Sequence, residues 1–309
     1  MVLNSIIGSL TSIFLMLIPG VVFRKKNIIT DNQSIAINSI IVNLMWPCLV
    51  IDAMQMDYNT QMMKDSIYML LICFVVFIGI VLLSIPASKL MNLNQTRQYL
   101  MCFMLLFGNT GFIGIPVTKA LYGENAIFYA AIIELINDVL IFTVGMFLIQ
   151  KSAGAKLKVE WKELFSPGMI GVILGISFFV LEIQLPNTIG TTIEMIGNAT
   201  TPLTMFMIGF QIGGLKWKDI ISDLQVYGVC IIKLILVPIL VILFLRFMKN
   251  DFTLLEKTLI LSFAMPVGSV SAIFSKQYQS DFEFATKSVL ISTTLCLVTI
   301  PICAILLEM

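Results

Sequence analysis

Apolar runs of bilayer length recur along the whole chain, and they limit its fold more than any motif does. A helix needs about 20 consecutive apolar residues to cross the hydrocarbon core. Ten such runs can be read, at approximately 3–23, 33–52, 66–88, 98–121, 125–150, 167–182, 188–212, 224–248, 257–277 and 285–307. The sixth is short, and the connections are brief, so no soluble domain fits between them. The longest connection, 151–166, carries Lys151, Lys156, Lys158, Lys162, Glu160 and Glu163. Composition agrees with an all-α membrane protein. Of 309 residues, 58% are apolar and 12% charged, where a soluble domain carries roughly a quarter charged.

Charge and residue usage exclude several function classes. Nineteen basic and eighteen acidic residues leave a net charge of +1, too balanced for a nucleic-acid binder. The sequence has no histidine, which removes Ser-His-Asp chemistry, histidine-held metals and a histidine proton switch. Ser269, Ser271 and Asp138 therefore lack the partners that an intramembrane enzyme would require. The six cysteines (Cys48, Cys73, Cys102, Cys230, Cys296, Cys303) are scattered in apolar stretches with no CxxC pair, as expected of small core- or lipid-facing residues. No cofactor or metal is expected. The first run is followed, not preceded, by Arg24, Lys25 and Lys26. That order predicts a retained span, not a cleaved signal peptide.

Basic residues set the expected orientation. The loops on one side hold thirteen, from Arg24, Lys25 and Lys26 through Lys89, Arg97 and the 151–166 segment to Lys216, Lys218, Lys276 and Lys287. The other side holds five: Lys64, Lys119, Arg246, Lys249 and Lys257. This bias places 151–166 in the cytoplasm and both termini outside a cell membrane.

Weak echoes suggest a duplication. Asn43-x3-Pro47 matches Asn198-x3-Pro202, Lys64-Asp65 matches Lys218-Asp219, and Tyr122 matches Tyr278, at offsets of 155, 154 and 156 residues. The predicted organisation is two five-helix repeats, 1–150 and 167–309, joined by the linker. Five is odd, so the second repeat enters the membrane from the opposite side. Inverted repeats of this kind are common among secondary transporters.

Runs four and nine are interrupted at corresponding places. Run four reads Phe107-Gly108-Asn109-Thr110-Gly111-Phe112-Ile113-Gly114-Ile115-Pro116, and run nine Ala264-Met265-Pro266-Val267-Gly268-Ser269-Val270-Ser271. Paired breaks near mid-span point to a midplane binding site. Asn109 or Thr110 suits a helix N-cap, and Pro266 suits a first helical turn. Two half-helix N-termini meeting there would attract an anion such as a carboxylate. Asn109, Thr110, Gly111, Pro266, Val267, Gly268 and Ser269 are the candidate substrate contacts. The alternative is a packing kink in which small residues let helices approach.

Four further polar residues lie deep in apolar runs. Glu134 and Asp138 are four apart in run five, so they share a helix face, with Asn137 beside them; Lys233 lies within run eight. A charge at the bilayer centre costs about 2.5–3.5 kcal/mol on insertion scales. Three roles fit: Lys233 paired with Glu134 or Asp138 as structural glue, a carboxylate as proton-coupling group, or Lys233 drawing in the anion. Without histidine, any side-chain proton carrier would be one of these carboxylates. Asn43 and Asn198 are expected either to bond across the two halves or to line the substrate path. Lys119, Lys276 and Lys287 are expected to snorkel to solvent.

At the broken runs the chain resembles the auxin efflux carrier family, which includes plant PIN-type carriers and bacterial malate permeases. Gly108-Asn109-Thr110 with Gly114-Ile115-Pro116 and Leu121-Tyr122-Gly123 resembles its fourth-helix motif. Ala264-Met265-Pro266-x-Gly268 with Phe274-x-Lys276-x-Tyr278 resembles its ninth, and Lys233-Leu234-Ile235-Leu236-Val237-Pro238 its eighth. The resemblance implies ten helices with crossed, broken helices four and nine. Helices 1, 2, 6 and 7 would form a scaffold able to dimerise, and helices 3–5 and 8–10 a moving transport domain. It also implies a carboxylate at the crossover, touched by Asn109. Gly108 stands where plant carriers usually have proline, Val267 where they usually have a polar residue, and the long plant loop is absent. These departures fit a bacterial-type member. The expected function is secondary transport of a small mono- or dicarboxylate by alternating access. Its rivals are a sodium-coupled carrier of the bile-acid symporter type and a non-transporting anion sensor.

Overall fold

The computed structural model describes residues 2–56, 59–154, 167–214, 223–249 and 251–308. The basic residues Lys156, Lys158, Lys162, Lys216 and Lys218 therefore lie outside the described residues, as do Glu160, Glu163 and Asp219.

Helices occupy each apolar run. In chain order they are α1 (Val2–Leu15), α2 (Leu17–Lys25), α3 (Asp31–Ala53), α4 (Thr60–Leu90), α5 (Gln95–Leu106), α6 (Ile115–Tyr122), α7 (Glu124–Ser152), α8 (Pro167–Val180), α9 (Asn187–Asn198), α10 (Thr200–Gly213), α11 (Leu224–Met248), α12 (Leu254–Ala264), α13 (Val270–Gln277) and α14 (Phe282–Leu307). Among the described residues there is no strand, and six helical stretches are long and apolar enough to span a bilayer unaided. These are Ile7–Lys25, α3, α4, α7, α11 and α14. The remaining runs fold as shorter pieces. The short sixth run forms α8, and the seventh divides at Ala199 into α9 and α10.

Prolines leave a consistent mark. Three widened turns, Ile41–Met45, Thr110–Gly114 and Ile232–Leu236, each end two residues before a proline: Pro47, Pro116 and Pro238. A proline cannot donate its i→i−4 hydrogen bond and its ring crowds the preceding carbonyls, so the helix widens locally. A fourth such turn, Ile141–Gly145, has no proline. There Gly145 faces the rings of Phe103 and Phe107, close enough that a Cβ would lie 2.9 Å from Phe103.

The helix starts are held by side chains that replace missing backbone partners. Asn59, Asn94, Asp223 and Asp281 accept backbone N–H groups at the starts of α4, α5, α11 and α14. Arg97 then ties three of these starts together. Its Nε donates to Asp281 (2.7 Å), its Nη1 donates to Asp223 (2.9 Å) and Gln225 (2.6 Å), and the guanidinium lies over the Phe284 ring.

Burial divides the helices into two kinds. All side chains from Leu100 to Leu106 on α5, and from Thr258 to Ala264 on α12, are buried. A helix enclosed on every face belongs at the centre of the bundle. By contrast α4 presents Ile67, Leu70, Leu71, Phe74, Ile78 and Leu82 outward, the surface expected of a lipid-facing helix.

At the crossing of α2 and α10 the backbones touch. A Cβ on Gly20 would lie 1.9 Å from the Phe206 carbonyl oxygen, and one on Gly209 would lie 2.0 Å from that of Leu17. Only glycine permits this approach. Gly209→Ala is expected to force α2 and α10 apart and to cost about 1–3 kcal/mol. Gly8→Ala, which meets open space, is expected to be neutral. Thermal unfolding of the detergent-solubilised protein checks both.

Candidate functional site

The two interrupted runs meet face to face. After α5 ends, Phe107 is extended; after α12 ends, Met265 is extended. Gly108 and Val267 form an antiparallel bridge. Asn109 N–H donates to the Pro266 carbonyl (2.7 Å), and Gly268 N–H donates to that of Phe107 (3.0 Å). Val267 N–H donates to Ser292 Oγ on α14 (3.1 Å). Unwound backbone in a bilayer must be paired within the protein, and here each break supplies the partners of the other. Gly268 is needed for the close approach, because a Cβ there would lie 3.1 Å from the carbonyl oxygens of both Phe107 and Gly108.

Beyond the bridge both chains turn helical again. Asn109 precedes the Thr110–Gly114 turn, and its carbonyl accepts from Ile113 and Gly114. Its side chain makes no capping bond. Pro266 does not open a helical turn as its sequence position suggests. It lies in the extended break with its carbonyl committed to the bridge, and Ser269 is the residue that precedes α13. The first N–H groups of each restarted helix have no partner within that helix, so both starts carry partial positive charge.

A cavity of about 310 Å³ opens against these starts. Asn109, Thr110, Gly111, Gly268, Ser269, Glu134, Asn137 and Asp138 all line it. Glu134 accepts the Thr110 hydroxyl, while Asn137 Nδ2 donates to Thr110 Oγ1 (3.1 Å). The Asp138 carboxylate makes no hydrogen bond or ion pair among the described residues. Asn109 is only 7% exposed, and its amide has no hydrogen-bond partner. Pro266 and Val267 take part through their backbones and do not line the space.

Lys233 is placed differently from the ion-pair expectation. It is fully buried, and its Nζ donates to the Leu105 carbonyl (2.8 Å), not to Glu134 or Asp138. It caps one of the carbonyls freed where α5 ends. Asn43 and Asn198 do not bond to each other. Asn43 turns back to Ser39 on its own helix, and Asn198 accepts from Lys119 Nζ (2.9 Å). Lys119 also pairs with Glu124, and Lys287 with Glu283, so neither is simply solvated.

Trp46, Phe112, Thr200 and Thr204 line the cavity and were not singled out in the sequence. Trp46 carried a usable signal, being the one tryptophan inside an apolar run. Thr200 and Thr204 carried none, since threonine is ordinary in such runs. Thr200 Oγ1 is buried at the cavity wall without a partner. A second cavity, of about 380 Å³, shares Ser269 and Ile273 with the first and reaches Arg24, which is ion-paired to Asp31.

A model of the family described as membrane transport protein matches residues 5–304. The chain belongs to that family. It is the auxin efflux carrier/membrane transport family that the motifs resemble, and this chain is a transporter, not an enzyme. The transporter is 19% identical over 96% of both chains to an uncharacterized transporter of Methanothermobacter thermautotrophicus. It is 21% identical over 97% of both chains to the uncharacterized transporter YfdV of Escherichia coli. A Rhizobium meliloti protein named "Putative malonate transporter" is 23% identical over 63% of this chain and 62% of its own.

The bridge makes one residue outside both breaks decisive. Ser292→Ala would leave the Val267 N–H buried without a partner, at an expected cost of about 1–3 kcal/mol. Thr294→Ala removes a hydroxyl that bonds only within its own helix, to Leu290, and should change thermal stability little. Paired melting curves check the difference.

Proposed function

We propose that this transporter is a secondary carrier of small mono- or dicarboxylates, bound where the two interrupted helices meet. One observation carries the reading. Asn109 is a largely buried residue whose amide makes no hydrogen bond and stands in the cavity beside two helix starts that favour an anion. The similarity to a protein named for malonate supports the substrate class.

In this reading ten segments cross the cell membrane as two inverted repeats, 1–150 and 167–309. The 155-residue offset finds support in the packing. Gly20 on α2 packs against α10 next to Gly209, and the offset carries Gly20 to Gly175 and Met54 to Gly209. Gly175 on α8 packs against Met54 just beyond α3, where a Cβ would lie 2.7 Å from its sulfur. The α2–α10 contact thus has a counterpart in α3–α8, as a two-fold relation between repeats requires.

The scaffold is then α1–α3 with α8–α10, and it offers a surface for a homodimer. The moving part is α4–α7 with α11–α14, in which Arg97 locks α5, α11 and α14 together. The cavity lies between the two parts: Trp46, Thr200 and Thr204 come from the scaffold, and Asn109, Glu134 and Ser269 from the moving part. An elevator-like displacement would carry the second set past the first. The bias of basic residues puts Arg24 on the cytoplasmic side and both termini outside. The adjoining cavity that reaches Arg24 would make this the cytoplasm-facing state.

Counterflow in proteoliposomes tests the reading, with unlabelled carboxylates inside and labelled malonate or malate outside. Saturable exchange is expected. Asn109→Ala should raise the half-saturating concentration by at least about ten-fold, the worth of one hydrogen bond to a charged group. Exchange with no carboxylate in the panel, from folded protein, would sink the proposal.

A further inference from the structure

The charges around the cavity do not balance for an anion. Two carboxylates, Glu134 and Asp138, line it, and among the described residues no lysine or arginine does. The other lining elements bring no titratable group. α3 gives Ile41, Val42 and Trp46; α8 gives Gly168; α10 gives Thr200 and Thr204; the α13 side gives Gly268, Ser269, Val270 and Ile273. Lys233 does not itself line the cavity: its ammonium is held by the Leu105 carbonyl behind Gly108, where a Cβ would lie 3.4 Å from Nζ, and Arg24 belongs to the adjoining cavity, paired with Asp31. A dicarboxylate in this space would meet two like charges, against the two helix starts, each worth only about half an elementary charge, and the single Lys233 ammonium behind Gly108. Like charges in an enclosed, water-poor site repel strongly.

We propose that Glu134 and Asp138 each take up a proton when the carboxylate binds, so that the carrier moves anion and protons together. This rests on the carboxylate reading above. The protons enter from the side on which substrate binds and leave to the other side with it. Each protonation turns a carboxylate into a neutral acid able to donate a hydrogen bond to substrate oxygen.

At Glu134 the geometry favours a proton over a sodium ion. The Thr110 hydroxyl spends its hydrogen on Glu134, and its oxygen already accepts from Asn137. The groups beside Glu134 thus present hydrogens to it, whereas sodium needs a shell of free oxygens. The Asn109 amide and the Thr200 and Ser269 hydroxyls, on the same cavity, can meet the substrate's oxygens.

The test uses wild-type protein in sodium-free proteoliposomes containing a trapped pH-sensitive dye, with labelled malonate added outside. Malonate entry should acidify the lumen. An inward proton gradient should raise equilibrium accumulation roughly ten-fold per coupled proton per pH unit. Glu134→Gln and Asp138→Asn should each lower the ratio of protons to malonate, a readout independent of total rate. Net malonate uptake without proton movement, or uptake that requires sodium, would overturn this inference while leaving the carrier reading intact. An unchanged ratio in both variants would overturn the assignment to these residues. Transport of no carboxylate would remove the carrier reading itself. Exchange confined to amino acids would overturn both, because the two carboxylates would then serve an ammonium group.

Discussion

Two hydrogen bonds between broken helices hold the rest of the molecule in place. In a bilayer a chain cannot leave its helix without stranding polar backbone groups, and each stranded group costs several kcal/mol. The transporter breaks two helices at corresponding places and lets each extended piece complete the other, Asn109 to Pro266 and Gly268 to Phe107. Neither break is tenable alone. Ser292 takes the Val267 N–H, and the Lys233 ammonium takes a carbonyl at the end of α5. A buried lysine that would otherwise be a liability thus becomes a cap, at a place where a neutral donor would be a weaker partner.

That arrangement determines what the cavity can offer. With the carbonyls turned into the bridge, the helix starts at Thr110 and Val270 face the open space. They bring partial positive charge to a cavity that no cationic side chain lines among the described residues. The same wall carries Glu134 and Asp138. The site therefore joins an anion-seeking backbone to two groups that become compatible with an anion only when neutral. In the proposed carrier such a pairing would couple the two, because binding of the substrate and of the proton then favour each other.

Much of this could be read in the residues. The apolar runs located the helices, since burial in lipid leaves a long unbroken signal. The glycine and proline interruptions at 108–116 and 264–271 located the bridge, because few other reasons exist to place them mid-span. The share of the charges was less legible. Lys233 on the sequence looks like a partner for Glu134 or Asp138, yet it reaches a carbonyl, because the unwound end of α5 creates an acceptor that no side-chain pattern reveals. Pro266 fitted a helix start by type, but its lack of an N–H equally suits an extended strand whose carbonyl alone is used. The threonines of α10 reach the cavity through packing of α10 against the helices around the breaks, which is a property of the assembled fold.

The widened turns connect these two levels. Ile41 and Val42, Thr110 to Phe112, and Ile141 and Phe142 all line the cavity, and each group lies in a widened turn on a different helix. Two of the three turns are forced by a proline two residues on, and the third coincides with Gly145 against the rings of Phe103 and Phe107. A widened turn shifts the register of the side chains that follow it and loosens one step of the hydrogen-bond ladder, which is why such turns gather at functional sites. Here they surround a single space from three sides. The cavity is therefore made where helices depart from regular geometry, at two of the three places through a proline that does not itself line it.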